Sequence, residues 1–145
     1  MIIILENNFK NEISEYMEKV LNKEICKNVL VENLEASQNY ISKNIDICLI
    51  YNLDDKIIHK AVKDFLCKKI SFAINEQADF IASDINDNDE TINFKLNYKG
   101  NCVPIRIKKR ASKNVLEIIY CVLPVIVAGD LLGINVVEVS ENLKQ

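Results

Sequence analysis

The chain has 145 residues, the size of one domain with enough length to bury a substantial core. With 49% hydrophobic and 27% charged residues it reads as globular, not disordered. Eighteen basic against 21 acidic residues give a net charge of -3, which argues against a nucleic-acid partner.

The predicted elements alternate. Ile2 to Leu5 reads as a strand, and Asn11 to Leu21 as a helix with Ile13, Met17, Val20 and Leu21 on one face. Val29-Leu30-Val31 is a second strand. Ile45 to Tyr51 is a third, apolar enough to be covered on both faces. Lys56 to Leu66 is a helix with a broad face of Ile57, Ile58, Ala61, Val62, Phe65 and Leu66, capped by Asp54 or Asp55. Ile70 to Ile74 is a fourth strand, and this rhythm implies a parallel sheet with crossover helices over residues 1–75.

Near Ala78 the period falls to two. Ile92, Phe94, Leu96 and Tyr98 share one face of a strand, and Val103, Ile105 and Ile107 share one face of the next. Asp87-Asn88-Asp89 and Lys99-Gly100-Asn101 carry turn residues between them. Residues 78–108 are therefore expected to form an antiparallel meander. Residues 112–145 are read as helical, with Pro124 kinking a helix or opening a second one and Gly133 as a C-cap. Val136 to Leu143 is a last short helix. The fold class is α/β: a mostly parallel sheet, an antiparallel meander and a C-terminal helical segment.

The start Met1-Ile2-Ile3-Ile4-Leu5 has no basic region or small-residue cleavage site, and no apolar run reaches bilayer length without a charge. The expected location is the cytoplasm, with no membrane partner. The five cysteines, Cys26, Cys48, Cys67, Cys102 and Cys121, are odd in number and widely spaced, so they read as buried thiols, not disulfides or zinc ligands.

Chemistry-bearing motifs are few. The single histidine, His59, sits inside a helix without an evident partner, and the three glycines form no phosphate-cradling loop. Two carboxylate positions stand out. Glu6 ends the first strand, and Asp54 and Asp55 follow the third. Ligands of an open α/β sheet bind outside the carboxyl ends of its strands. Carboxylates there hold a magnesium ion or a ribose hydroxyl, or simply cap the next helix.

Taken in order, the segments resemble the central domain of the Mur ligase family. The pieces are Ile4-Leu5-Glu6 followed by Asn11-Glu12-Ile13, then Asn52-Leu53-Asp54-Asp55, then Ala78-Asp79-Phe80-Ile81-Ala82-Ser83-Asp84-Ile85. Thr91-Ile92-Asn93-Phe94-Lys95-Leu96 and Leu132-Gly133-Ile134 complete the set. The likeness spans nearly the whole chain and is strongest to the members that add D-alanyl-D-alanine to UDP-N-acetylmuramoyl-tripeptide. It implies an ATP- and magnesium-dependent amide ligase of peptidoglycan precursor synthesis. Glu6 would be the metal-binding residue, and Asn52, Asp54 and Asn114 the nucleotide-binding ones. No residue is assigned a catalytic role.

The departures matter as much. The family's P-loop is absent. Gln38 stands where its histidine is expected, Lys43 is a poor match for its modified lysine, and its Gly-x-His-Asn-x-x-Asn motif is not readable around Asn114. The expectation is therefore a chain inactive alone, or one piece of a split enzyme. It would pair as a homodimer or with a P-loop-bearing fragment along an open strand edge. The alternative is a non-enzymatic GAF-like sensory or interaction module. In that reading Val122 to Gly133 is a terminal hairpin and residues 116–139 are β.

Overall fold

The computed structural model describes residues 1–110 and 113–145. One seven-stranded sheet runs through it: β1 (Ile2–Leu5), β2 (Val29–Glu32), β3 (Cys48–Asn52), β4 (Lys68–Ala73), β5 (Phe80–Asp87), β6 (Thr91–Tyr98) and β7 (Asn101–Lys108). The spatial order is β2-β1-β3-β4-β5-β6-β7. Strands β1 to β4 are mutually parallel, β5 joins β4 in parallel, and β5 to β7 form the expected antiparallel meander.

Helices α1 (Lys10–Leu21) and α2 (Lys23–Cys26) connect β1 to β2, α3 (Leu34–Ser42) connects β2 to β3, and α4 (Lys56–Val62) connects β3 to β4. After the meander come α5 (Val115–Leu131) and α6 (Val136–Leu143). One apolar core lies between the whole sheet and α1, α5 and α6. A smaller one, built on Ile3, Leu5 and Leu49, lies under α3 and α4 on the opposite face of the parallel strands. The two-faced burial expected of Leu49 and Ile50 is present.

Several expectations need correction. The third strand starts at Cys48, not Ile45, because Ile45 is exposed in the preceding turn. Helix α4 stops at Val62, where Phe65 N–H bonds back to the Val62 carbonyl in a tight turn. Its apolar face is accordingly narrower: Ile57 is 70% and Leu66 74% exposed. Helix α3 was not foreseen. Its cap is the Asn33 side chain, which accepts from Ala36 N at 2.7 Å, and its only buried residues are Leu34, Ser37 and Ile41.

Helix α5 runs unbroken through Pro124, and the chain is helical again at α6, so the hairpin of the GAF-like alternative is overturned. The expected helical span began at 112, which lies outside the described residues; the helix itself begins at Val115. Gly133 does end α5: at φ +81 it lets Ile134 N reach Gly129 O at 2.8 Å and Gly133 N reach Asp130 O at 3.1 Å, the paired bonds of a Schellman cap. Lys99 and Gly100, both at positive φ, make the two-residue turn between β6 and β7.

Candidate functional site at the carboxyl edge of the sheet

Strands β1 and β3 are neighbours in register, Leu5 beside Tyr51, so Glu6 and Asn52 leave the sheet at the same level. This is the edge where ligands of open α/β sheets bind. Glu6 is buried, only 5% exposed, and its Oε1 accepts from Asn8 N at 3.1 Å. Burial pushes its carboxyl above the ordinary range, and the nearby Asp55 charge pushes in the same direction. The Cys121 thiol, on α5, is driven up to about 12, first by burial and then by the Glu6 and Glu12 carboxylates. A thiol held that far from its thiolate is an inert core group.

Asp54 and Asp55 divide the two roles expected of them. Asp55 caps α4, its Oδ1 accepting from Ile57 N and Ile58 N at 3.1 Å each. Asp54 turns the other way, into the loop between β4 and β5. Its Oδ2 accepts from Ile74 N at 2.7 Å and Asn75 N at 3.1 Å, and its Oδ1 from Glu76 N at 3.0 Å. The Tyr120 hydroxyl of α5 donates to Oδ2 at 2.8 Å. Desolvation and this bond hold the Tyr120 phenol well above its usual range, so it stays a donor. Asn52 supports the arrangement from below, its Oδ1 accepting from Asp54 N at 2.9 Å. At the other end of the same loop Asp79 Oδ2 accepts from Ser71 N at 2.9 Å, and Ser71 Oγ accepts from Asp79 N at 3.1 Å.

Asn114 is the N-cap of α5 and accepts from Leu116 N at 2.8 Å. It stands six residues, about 9 Å along the helix, before Tyr120. The structure thus gathers Glu6, Asn52, Asp54 and Asp55 at one edge and leaves Asn114 a helix segment away. Tyr120 was missed. It sits in an otherwise apolar run, and nothing local in the sequence links it to Asp54, 66 positions earlier.

Ordinary cofactor geometry is not met by these residues alone. Both oxygens of Asp54 are engaged by backbone amides, and no group of three or more His, Cys, Asp or Glu side chains suited to a metal exists among the described residues. One carboxylate, Glu6, does not make a magnesium site. A small cavity of about 10 Å³ lies nearby between α1 and α5, lined by Tyr16, Arg110 and Cys121 among others. It has room for roughly one water. The Tyr16 hydroxyl is buried in this region without a hydrogen-bond partner among the described residues, and the Arg110 guanidinium lies 4.6 Å over its ring.

No protein-family model matches this chain, and no curated protein matches it in sequence. Solved structures do match in fold. A UDP-N-acetylmuramoyl-L-alanyl-D-glutamate–2,6-diaminopimelate ligase superposes with a TM-score of 0.74 at 12% identity, over 98% of this chain and 45% of that one. MurF from Acinetobacter baumannii gives 0.69 at 11% identity, over 99% and 45%. MurF from Thermotoga maritima, solved with ADP, gives 0.68 at 9% identity, over 96% and 47%. The chain therefore has a Mur ligase-like α/β fold, in agreement with the resemblance read from its segments, and spans about half the length of these ligases.

Proposed function

We propose that this chain is the part of the central, ATP-handling domain that follows the P-loop in a Mur-type amide ligase of peptidoglycan precursor synthesis. By the same resemblance it belongs on the branch that adds D-alanyl-D-alanine, and it works in the cytoplasm. The observation that carries the reading is the fold match over 98% of the chain, joined to Glu6 and Asn52 emerging side by side at the ligand-binding edge. No helix among the described residues is long and apolar enough to cross a membrane.

The reading takes Glu6 as a single ligand, which becomes a metal site only if a P-loop-bearing segment supplies the others, and places Asn52, Asp54 and Asn114 in the nucleotide region. Asp54 and Asn52 act there by positioning. They fix the loop after β4 and the second turn of α5, and any nucleotide contact is made by the surfaces they hold. Phosphoryl transfer is mostly positioning and charge neutralisation by backbone amides, lysine and metal. This chain offers no glycine-rich cradle, so a P-loop-bearing segment must supply that grip.

Calorimetry and a phosphate-release assay with ATP and magnesium test this. The chain by itself is expected to show no hydrolysis and a dissociation constant of about 1 mM or weaker. Micromolar binding that Glu6→Ala abolishes would mean that the edge is a complete site, and the division of labour proposed here would be wrong.

A further inference from the structure

The two outer strands of the sheet, β2 and β7, are finished differently. β7 carries Pro104 at its centre and exposes Arg106 and Lys108, devices that discourage strand addition. β2 carries no proline, and its central Leu30 is 41% exposed.

The hydrogen-bond direction of β2 is fixed. Ile2 N bonds to Asn28 O, and Glu6 N bonds to Glu32 O. Alternate residues of a strand point their main-chain groups to opposite sides, so Asn28, Leu30 and Glu32 face β1. The N–H and C=O of Val29 and Val31 face away from the sheet. This spacing is self-complementary. A two-fold axis normal to the sheet at Leu30 sets Val29 opposite the partner's Val31, and the two exchange both bonds of a hydrogen-bonded antiparallel pair. The symmetric copy repeats this, giving four bonds. Leu30 then faces its own symmetry mate in the closely spaced, non-hydrogen-bonded position, on the face where it is exposed.

The flanks match as well. The same register sets Asn28 opposite the partner's Glu32, and neither side chain has a hydrogen bond among the described residues. Lys27 stands beside Asn28 in a groove lined by Met1, Ile2, Leu30 and Leu132; its Nζ pairs with Glu24 at 3.0 Å, an exposed and weak ion pair that can be exchanged for that carboxylate. An acid at one end of the strand and an amide with a lysine at the other favour an antiparallel copy.

We propose that β2 is a homodimerisation edge and that two copies of this chain form one continuous fourteen-stranded sheet through Val29 and Val31. This stands apart from the ligase reading, since it uses only the geometry of the edge.

Sedimentation velocity over a concentration series tests it together with a cross-link. Leu30→Lys puts like charges face to face on the axis and is expected to raise the dimer dissociation constant at least about tenfold. Its circular dichroism and melting should match those of the parent chain. Leu30→Cys, made in a Cys102→Ser background to remove the exposed thiol, is the second variant. Non-hydrogen-bonded antiparallel pairs hold their Cα atoms about 4.5 Å apart, within disulfide range. Mild oxidation should therefore yield a covalent dimer joined at position 30 in peptide mapping. A parent chain monomeric at about 100 µM, far above a micromolar constant, overturns the proposal. So does a dimer untouched by Leu30→Lys and not linked through L30C, or an edge occupied by a P-loop-bearing polypeptide in place of a second copy.

Discussion

Strands β1–β4 and strands β5–β7 belong to one sheet but meet different surroundings. The parallel half is covered twice: Ile2, Ile4 and Ile50 pack toward α1 and α5, and Ile3, Leu5 and Leu49 toward α3 and α4. The meander is covered once. Phe94, Leu96, Ile105 and Ile107 face the large core, while Lys95 and Arg106 stand in solvent on the other side. A two-sided strand has only its ends left for polar groups, so those of the parallel half collect at edges such as the carboxyl one, where Glu6, Asn52 and Asp54 lie. A one-sided sheet spreads its polar groups over a whole face in separate cross-strand pairs, such as Arg106 with Asn93 and Lys95 with Asp84. β5 joins the halves through two register pairs only, Phe72 with Phe80 and Ala73 with Ile81. Asp54 and Asp79 stitch that junction.

The contrast is broken most severely in the doubly covered half. Phe72→Ala removes a fully buried ring next to the junction and should cost about 3–5 kcal/mol in chemical denaturation. Arg106→Ala on the open face of the meander should change stability by about 0.5 kcal/mol or less. Equal losses at the two positions would refute the asymmetry.

Next in size is the junction. Asp54→Ala strands three amides and the Tyr120 hydroxyl and should cost about 2–4 kcal/mol. Tyr120→Phe, which removes one donor and leaves the amides bonded, should cost about 1–2 kcal/mol. If Tyr120→Phe matched Asp54→Ala, the main-chain bonds would not be what holds the loop.

The smallest effect has a sign to check. The folded state binds a proton at Glu6 more tightly than the unfolded state, because burial raises its carboxyl above the ordinary 4.5. Its contribution to stability is full below that value and is lost as pH rises through the folded value. Glu6→Gln keeps an oxygen for Asn8 N and removes the buried charge. It should melt above the parent chain at neutral pH, with the gain vanishing on acidification below the ordinary value. A pH-independent difference would show that packing, not ionisation, governs the site.

What the sequence made legible follows from distance along the chain. β1 was readable to the residue because four apolar residues stop at Glu6, and the meander because its two-residue period and Lys99-Gly100 turn are local signals. Helix α3 escaped because Ser37 occupies one of its three buried positions and Tyr40 is exposed, which erases the apolar stripe. The end of α4 was overrun because Phe65 and Leu66 continue the pattern after the backbone has turned. At the site, Glu6 and Asn52 could be set on one edge from strand order alone. The partners of Asp54 could not, since its amide donors lie 20 to 22 residues away and Tyr120 lies 66 away.

The Asp54 clasp also sets a clock. Asn75 and Glu76 lie on an exposed loop, where main-chain protons ordinarily trade with water almost freely. Here those protons point into one carboxylate that is tied in turn to α5. They are released only when the loop parts from Asp54, a carboxylate that α5 braces through the Tyr120 hydroxyl. Exchange at Asn75 and Glu76 therefore keeps the time of the carboxylate, and whatever loosens Asp54 is felt there as faster proton exchange.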